Sequence, residues 1–335
     1  MVSDKEEKGV MLLPYDAHNH IQLGPTPLKS VIVNNSNSSG NFFQICLSGM
    51  AVMSTHPRDF QSVLQLRQQY PTILPCLGVH PWFLHELTPS DWNLTTPSVS
   101  TLTTTQKIPQ WVANLEELLI EHPYAPVGEI GLDNFHFDGD KFGKDHIKEL
   151  TTPLSTQVEA LEYQLTLATT YQRPVSLHCV RAIGKIMEVI TKVQRINGLP
   201  PCIYFHAFAG KAATVTQLIK SYEKSSKKNK QVKSATTTMT KLYFGFAPII
   251  NFSSPKTLEV IKTVGLDRLV LETDHEDAAK VPPSMDMGVQ VLSEIFGIEP
   301  SELISRTNQN ARDLYRLDAN FLPYTRSTSL SPLTS

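Results

Sequence analysis

Apolar positions along the chain recur in two alternating modes. Short apolar runs bounded by turn residues predict strands at Leu13–His18, Phe42–Ser48, Ile73–Val79, Pro126–Ile130, Pro174–Cys179, Cys202–Phe208, Leu242–Ile249 and Arg268–Glu272. Longer stretches with a period near 3.6 predict helices at Arg58–Tyr70, Trp111–His122, Thr156–Tyr171, Ile183–Ile196, Ala212–Tyr222 and Pro255–Val264. Two further helices are expected near Met287–Phe296 and Pro300–Tyr315. Strands that are mostly followed by helices imply parallel pairing through right-handed crossovers. The pattern therefore predicts an α/β chain folded as a single (β/α)8 TIM barrel, with its metal site at the C-terminal ends of the strands. An open doubly wound sheet is the competing architecture, but the chain contains neither GxGxxG nor GxxxxGK followed by Ser or Thr.

Two segments break the rhythm. The stretch near 95–105 is mostly Thr and Ser, and Lys224–Lys241 is polar and lysine-rich, so both read as insertions in one barrel spanning 1–323. The tail 324–335 has the composition of disorder. Of 335 residues, 41% are hydrophobic and 19% charged, which is ordinary globular composition for a chain able to bury a large core. Thirty basic against 32 acidic residues give a net charge of −2. A protein that grips nucleic acid mainly by neutralising phosphates is usually basic, so a nucleic-acid partner would have to be held by something else. Cys46, Cys76, Cys179 and Cys202 form no CxxC pair and suit reduced thiols. The apolar run Val10–Leu13 is too short for a leader, and no stretch reaches the roughly 18 apolar residues of a membrane span. These features lead to the expectation of a cytoplasmic or nuclear protein with no membrane partner.

Polar residues cluster at the predicted strand ends. The first strand ends in Asp16-Ala17-His18-Asn19-His20, and the third runs into Gly78-Val79-His80-Pro81-Trp82. The fourth carries Gly128-Glu129-Ile130-Gly131-Leu132-Asp133, the fifth ends at His178, the sixth at His206, and the eighth at Glu272-Thr273-Asp274. His18 and His20 lie two apart on a strand, so their imidazoles face the same side. Barrel closure would gather Glu129, His178, His206 and Asp274 beside them. Four histidines and two carboxylates suit two divalent cations sharing a bridging carboxylate. A mixed N/O set without thiolate favours Zn²⁺, Mn²⁺, Fe²⁺ or Mg²⁺ over Cu(I) or an iron–sulfur cluster.

This order of motifs resembles the TatD family of metal-dependent nucleases, a branch of the amidohydrolase-type barrels. The carriers are the DxHxH of Asp16–His20, GVHPW, GEIGLD, Leu177-His178, His206-Ala207-Phe208-Ala209-Gly210 and Glu272-Thr273-Asp274. The resemblance implies hydrolysis of DNA phosphodiesters, as a 3′→5′ exonuclease, by attack of metal-bound hydroxide. It implies two divalent ions (Mg, Mn or Zn). His18, His20, Glu129 and Asp274 would hold the first, and Glu129, His178 and His206 the second. Asp274 would also take the proton of the attacking water, and His80 would contact substrate phosphate or stabilise the leaving oxygen. Arg181, one residue later than the family's usual arginine, would contribute to substrate binding. The chain departs from the family in having His275-Glu276-Asp277 where Ser-Pro is common after ETD, which adds two acids near the mouth. That ending is similar to a fungal branch described as interacting with a cell-cycle ubiquitin-ligase component. Two other readings compete with the nuclease. One is a hydrolase of a small ester, lactone, amide or phosphate. The other is a metal-stabilised barrel that binds a protein partner through its insertions.

Overall fold

A computed structural model describes residues 12–26, 28, 47–95, 107–135, 152–223 and 239–317. Among these residues eight parallel strands run in chain order: β1 Tyr15–Asn19, β2 Gly49–Met53, β3 Ile73–Cys76, β4 Val127–Asp133, β5 Val175–Val180, β6 Cys202–Phe205, β7 Lys241–Gly245 and β8 Leu269–Val270. Ladders join β1 to β2 to β3, and β4 through β8 in sequence. Backbone hydrogen bonds close both remaining seams. Leu77 donates to Pro126 at 3.0 Å and accepts from Gly128 at 3.0 Å, which joins β3 to β4. Ala17 donates to the Leu271 carbonyl at 2.8 Å, and Asp274 to that of His18 at 2.9 Å, which joins β8 to β1. The expected (β/α)8 barrel is therefore the observed one.

The outer layer comprises α1 Phe60–Gln69, α2 Gln110–Glu121, α3 Leu154–Thr170, α4 Ile183–Asn197, α5 Ala212–Tyr222, α6 Pro248–Asn251, α7 Thr257–Val264, α8 Val281–Phe296 and α9 Pro300–Tyr315. Their apolar faces and the outward faces of the strands form the largest buried cluster, centred on residues such as Trp111, Leu165, Ile186, Phe205 and Leu303. A second cluster fills the barrel with Tyr15, Ala17, Met53, Cys76, Tyr204 and Tyr243, and takes in Leu314 and Tyr315 of α9. Helix α9 also clasps the last seam. Asn308 accepts from the Tyr15 amide at 2.9 Å and donates to Leu13, Asn310 donates to Leu269, and Tyr315 donates to Ala17 at 2.7 Å.

Several expected boundaries move. The second strand is Gly49–Met53 rather than Phe42–Ser48. Two apolar runs stand in tandem there, and pairing of Tyr15 with Gly49 and of Met50 with Ile73 selects the second. The first run lies mainly outside the described residues. The strand expected over Leu242–Ile249 stops at Gly245, because Pro248 opens α6, where a missing N–H costs nothing. The same tolerance starts α8 at Val281, ahead of Pro282 and Pro283, rather than near Met287. The strand expected over Cys202–Phe208 ends at Phe205, and Ala207 turns the chain outward at φ 41°. A small antiparallel ribbon, Leu94–Thr95 with Ile108–Pro109, flanks the span 96–106, which lies outside the described residues. So do most of 224–241 and the whole tail 324–335.

The seam between β4 and β5 depends on Gly131. A Cβ at that position would lie 2.0 Å from the His178 carbonyl oxygen. Gly131→Ala is expected to lower stability by about 1–3 kcal/mol, because the neighbouring strand would have to shift. Urea unfolding followed by circular dichroism reads this directly, and an unchanged midpoint would mean the two strands can part here without penalty.

Candidate metal centre

The barrel delivers His18, His20, Glu129, His178, His206 and Asp274 to one buried cluster. Three of the four rings, those of His18, His20 and His178, are oriented by a hydrogen bond at the outward nitrogen. His20 donates from Nδ1 to the Met53 carbonyl at 3.1 Å, which turns Nε2 inward. His178 does the reverse, with Nε2 3.1 Å from Asp133 Oδ2 and Nδ1 facing the cluster. His18 Nδ1 lies 2.9 Å from Ser176 Oγ, and its ring stacks on His206 at 3.9 Å with only 5° between planes. Asp274 emerges from the last strand end at φ 56°, a left-handed conformation uncommon for a residue other than glycine.

Glu129 is the hub. Its Oε2 is 3.3 Å from His18 Nε2 and 2.9 Å from His20 Nε2. Its Oε1 is 2.9 Å from His178 Nδ1, 2.5 Å from His206 Nε2 and 3.4 Å from His80 Nε2. Asp274 Oδ1 lies 3.5 Å from His18 and 3.7 Å from His20. Despite three ring nitrogens so close, Glu129 Oε1 has no hydrogen bond of acceptable geometry, and neither does the buried His206 Nδ1. Ring nitrogens and carboxylate oxygens thus crowd together with Glu129 Oε1 left unsatisfied, an arrangement that a cation relieves. The outward hydrogen bonds of His20 and His178 leave the inward nitrogens free to coordinate. The donor set fits divalent metal.

Among the described residues, three overlapping sets have ligand atoms close enough to share an ion: His18-His20-Glu129, His18-His206-Asp274 and His80-Glu129-His178. These groupings cut across the division that the resemblance implies. The His206 ring stacks on His18 at 3.9 Å while its Nε2 lies 3.2 Å from His178 Nδ1, and His80, assigned to substrate by the resemblance, joins a set.

Electrostatics follow from burial and crowding. Burial alone would raise Glu129, but His206, His80 and His18 hold it well below the usual carboxylate range. Burial raises Asp274. Burial opposes protonation of His178 and His20, yet Asp133 and Glu129 lift His178 to about 10, and Glu129 with Asp274 lifts His20 to about 9. Burial pushes His80 down to about 4, so that ring is neutral near pH 7.

Some of the site was not signalled by residue type. Asp133 orients His178 and also accepts from Trp82 Nε1 at 2.6 Å. Its position four residues after Glu129 on one strand was the available clue. Ser176 and the Met53 carbonyl carried no comparable mark. Arg181 lies outside the cluster, exposed, with its guanidinium 3.6 Å above the Phe135 ring. His275 is half-buried and contributes its carbonyl to the His20 amide at 2.9 Å. His56 and His122 make local contacts at their own turns.

The shifts set a sign for stability without metal. His20 and His178 keep protons in the folded state that the unfolded chain releases near pH 6.5. Their contribution is complete below 6.5 and is lost as pH rises through about 9 and 10. Burial also lifts Asp16 to about 7 and Glu272 to about 8, so stability falls further as pH rises from the ordinary carboxylate range to those values. Calorimetry of chelator-treated protein should show the melting temperature falling between pH 7 and pH 9. A flat or rising profile would contradict this charge assignment.

Comparison with known proteins agrees with the geometry. The TatD related DNase family matches residues 15–316. The Cut9-interacting protein scn1 of Schizosaccharomyces pombe is 23% identical over 350 residues, covering 89% of this chain and 97% of that protein. The human deoxyribonuclease TATDN3 is 24% identical over 273 residues, covering 79% of this chain and 83% of its own. Among solved structures, the TatD homologue YJJV of Escherichia coli K12 shares the fold with a TM-score of 0.62 at 22% identity, covering 91% of this chain and 98% of its own. The chain belongs to the TatD related DNase family of metal-dependent hydrolases.

Proposed function

We propose that the chain hydrolyses phosphodiester bonds of DNA, trimming strands from the 3′ end, with two divalent cations of the Mg²⁺, Mn²⁺ or Zn²⁺ kind. The observation that carries this is the split of Glu129, with one oxygen toward His18 and His20 and the other toward His178 and His206. His18, His20, Asp274 and Glu129 Oε2 would hold one ion, and His178, His206 and Glu129 Oε1 the other. Paired ions of this class activate water near neutral pH and neutralise phosphate charge.

The chain's own groups do the rest. Asp274, raised by burial, would accept the proton of the attacking water. His80 Nδ1 accepts from the Trp82 amide at 3.2 Å, which places the ring hydrogen on Nε2, toward the cluster. A neutral ring in that tautomer donates to a phosphate or leaving oxygen without carrying charge itself. Asp133 and Met53 hold the rings of His178 and His20 in place, so little reorganisation accompanies the reaction. Among the described residues, no helix is long and apolar enough to cross a membrane.

The acids Glu276 and Asp277, close in sequence to Asp274, favour a second reading with a small ester or phosphate as substrate. The test is incubation of the full chain with each cation and end-labelled single- and double-stranded DNA, beside a small phosphodiester. Stepwise loss of 3′ nucleotides, abolished by chelator, is the expected result. Release of no nucleotide with any of the three cations would falsify the DNA reading. Asp274→Ala is expected to reduce kcat by about 10²–10⁴-fold. His80→Ala should cost about 10²-fold, mainly in kcat, because its hydrogen bond strengthens as charge develops. Both are checked by steady-state kinetics at saturating metal.

A further inference from the structure

The proposed reaction centre is buried, but one large ring beside it is not. Trp82 is 38% exposed and stands edge-on to His80 at 4.9 Å and to His178 at 5.9 Å. Its indole N–H is tied to Asp133 Oδ2 at 2.6 Å. The other oxygen of the same carboxylate accepts from the Phe135 amide at 2.7 Å. Phe135 in turn carries the Arg181 guanidinium stacked on its ring at 3.6 Å. One carboxylate therefore sets the position of an indole, of a Phe–Arg stack and of His178.

Charge gives these planes a purpose. The net charge is −2, so phosphate neutralisation by side chains supplies little grip. Arg58, on the neighbouring β2 loop, is engaged by Glu86 at 3.1 Å. Single strands are held elsewhere by two means, a basic groove and aromatic rings on which successive bases stack. With the first weak, the second has to carry more of the binding.

We propose that Trp82, held by the same Asp133 carboxylate that anchors the backbone of Phe135 and its Arg181 stack, is a nucleobase-stacking subsite that seats single-stranded substrate beside the reaction centre. This rests on the nuclease reading and adds to it the part of the substrate recognised. Every base has a π-face, so the subsite is tolerant of sequence, and duplex ends have to unstack to use it. Trp82 acts here on binding, while His80 next to it acts on the phosphate.

The test compares kcat/KM of the metal-loaded full chain on single-stranded hexathymidylate and on the same phosphodiester backbone built from base-free tetrahydrofuran units. Stacking of one base is expected to favour the thymidylate by about ten-fold or more in the wild type. Trp82→Leu should bring that ratio close to one, and Trp82→Phe, which keeps a ring but no N–H, should retain most of it. Using the ratio cancels any loss that a disturbed Asp133 contact imposes on both substrates. Equal cleavage of both backbones by the wild type, or an unchanged ratio in Trp82→Leu, overturns the subsite while leaving the nuclease reading intact. Turnover of a small phosphodiester with neither backbone cleaved overturns the nuclease reading, and the subsite with it.

Discussion

The structure depends on how a single carboxylate, Glu129, is kept ionised at the centre of a protein. Its burial would favour the neutral acid, and only the ring of imidazoles around it reverses that preference. Those imidazoles come from four different strand ends or the loops that follow, so none helps unless the barrel closes. Closure is therefore an electrostatic requirement as well as a packing one. The β8–β1 seam shows how it is met. Asp16 accepts from the Thr273 amide at 3.1 Å and hydroxyl at 2.7 Å, and from Asn19 at 3.0 Å, so the strand carrying His18 is locked to the segment after β8 that carries Asp274.

The same demand accounts for backbone irregularity at the mouth. Arg181, Ala207 and Asp274 all adopt φ between 41° and 56° at or just beyond the ends of β5, β6 and β8. Left-handed conformations cost roughly 1–2 kcal/mol for such residues and persist only where surroundings over-determine them. Here the chain has to leave the barrel abruptly while still turning a side chain or an amide inward. Glu272 accepts the Ala207 amide at 2.7 Å and pairs with the Tyr204 hydroxyl, which supports one of these turns from below.

Around the hub, polar groups that never face the centre decide the chemistry of those that do. A carbonyl on His20, a hydroxyl near His18 and a carboxylate on His178 select which ring nitrogen points inward. His80 has its tautomer set by a backbone amide two residues on, within its own turn. Which ring nitrogen is presented to the centre is thus set, for His18, His20, His178 and His80, by contacts made on the far side of the imidazole.

Much of this was legible in the chain itself. Alternation of apolar runs with helical periodicity specified the barrel, and the spacing of His18 and His20 specified that both face one way. GEIGLD and the closing ETD marked two further strand ends, because ionisable residues inside apolar runs have few places to go but a shared site. Pairing choices were not legible. Two tandem apolar runs before Met53 are equivalent by composition, and only the register with β1 and β3 separates them. Nor could residue type reveal that Asp133 binds His178, Trp82 and the Phe135 amide together, or that Arg181 rests on Phe135 outside the cluster. Periodicity and residue chemistry act along one strand and are written locally. Ring orientation, tautomer and shared ligands depend on atoms brought from tens of residues away, so they exist only once the barrel has closed.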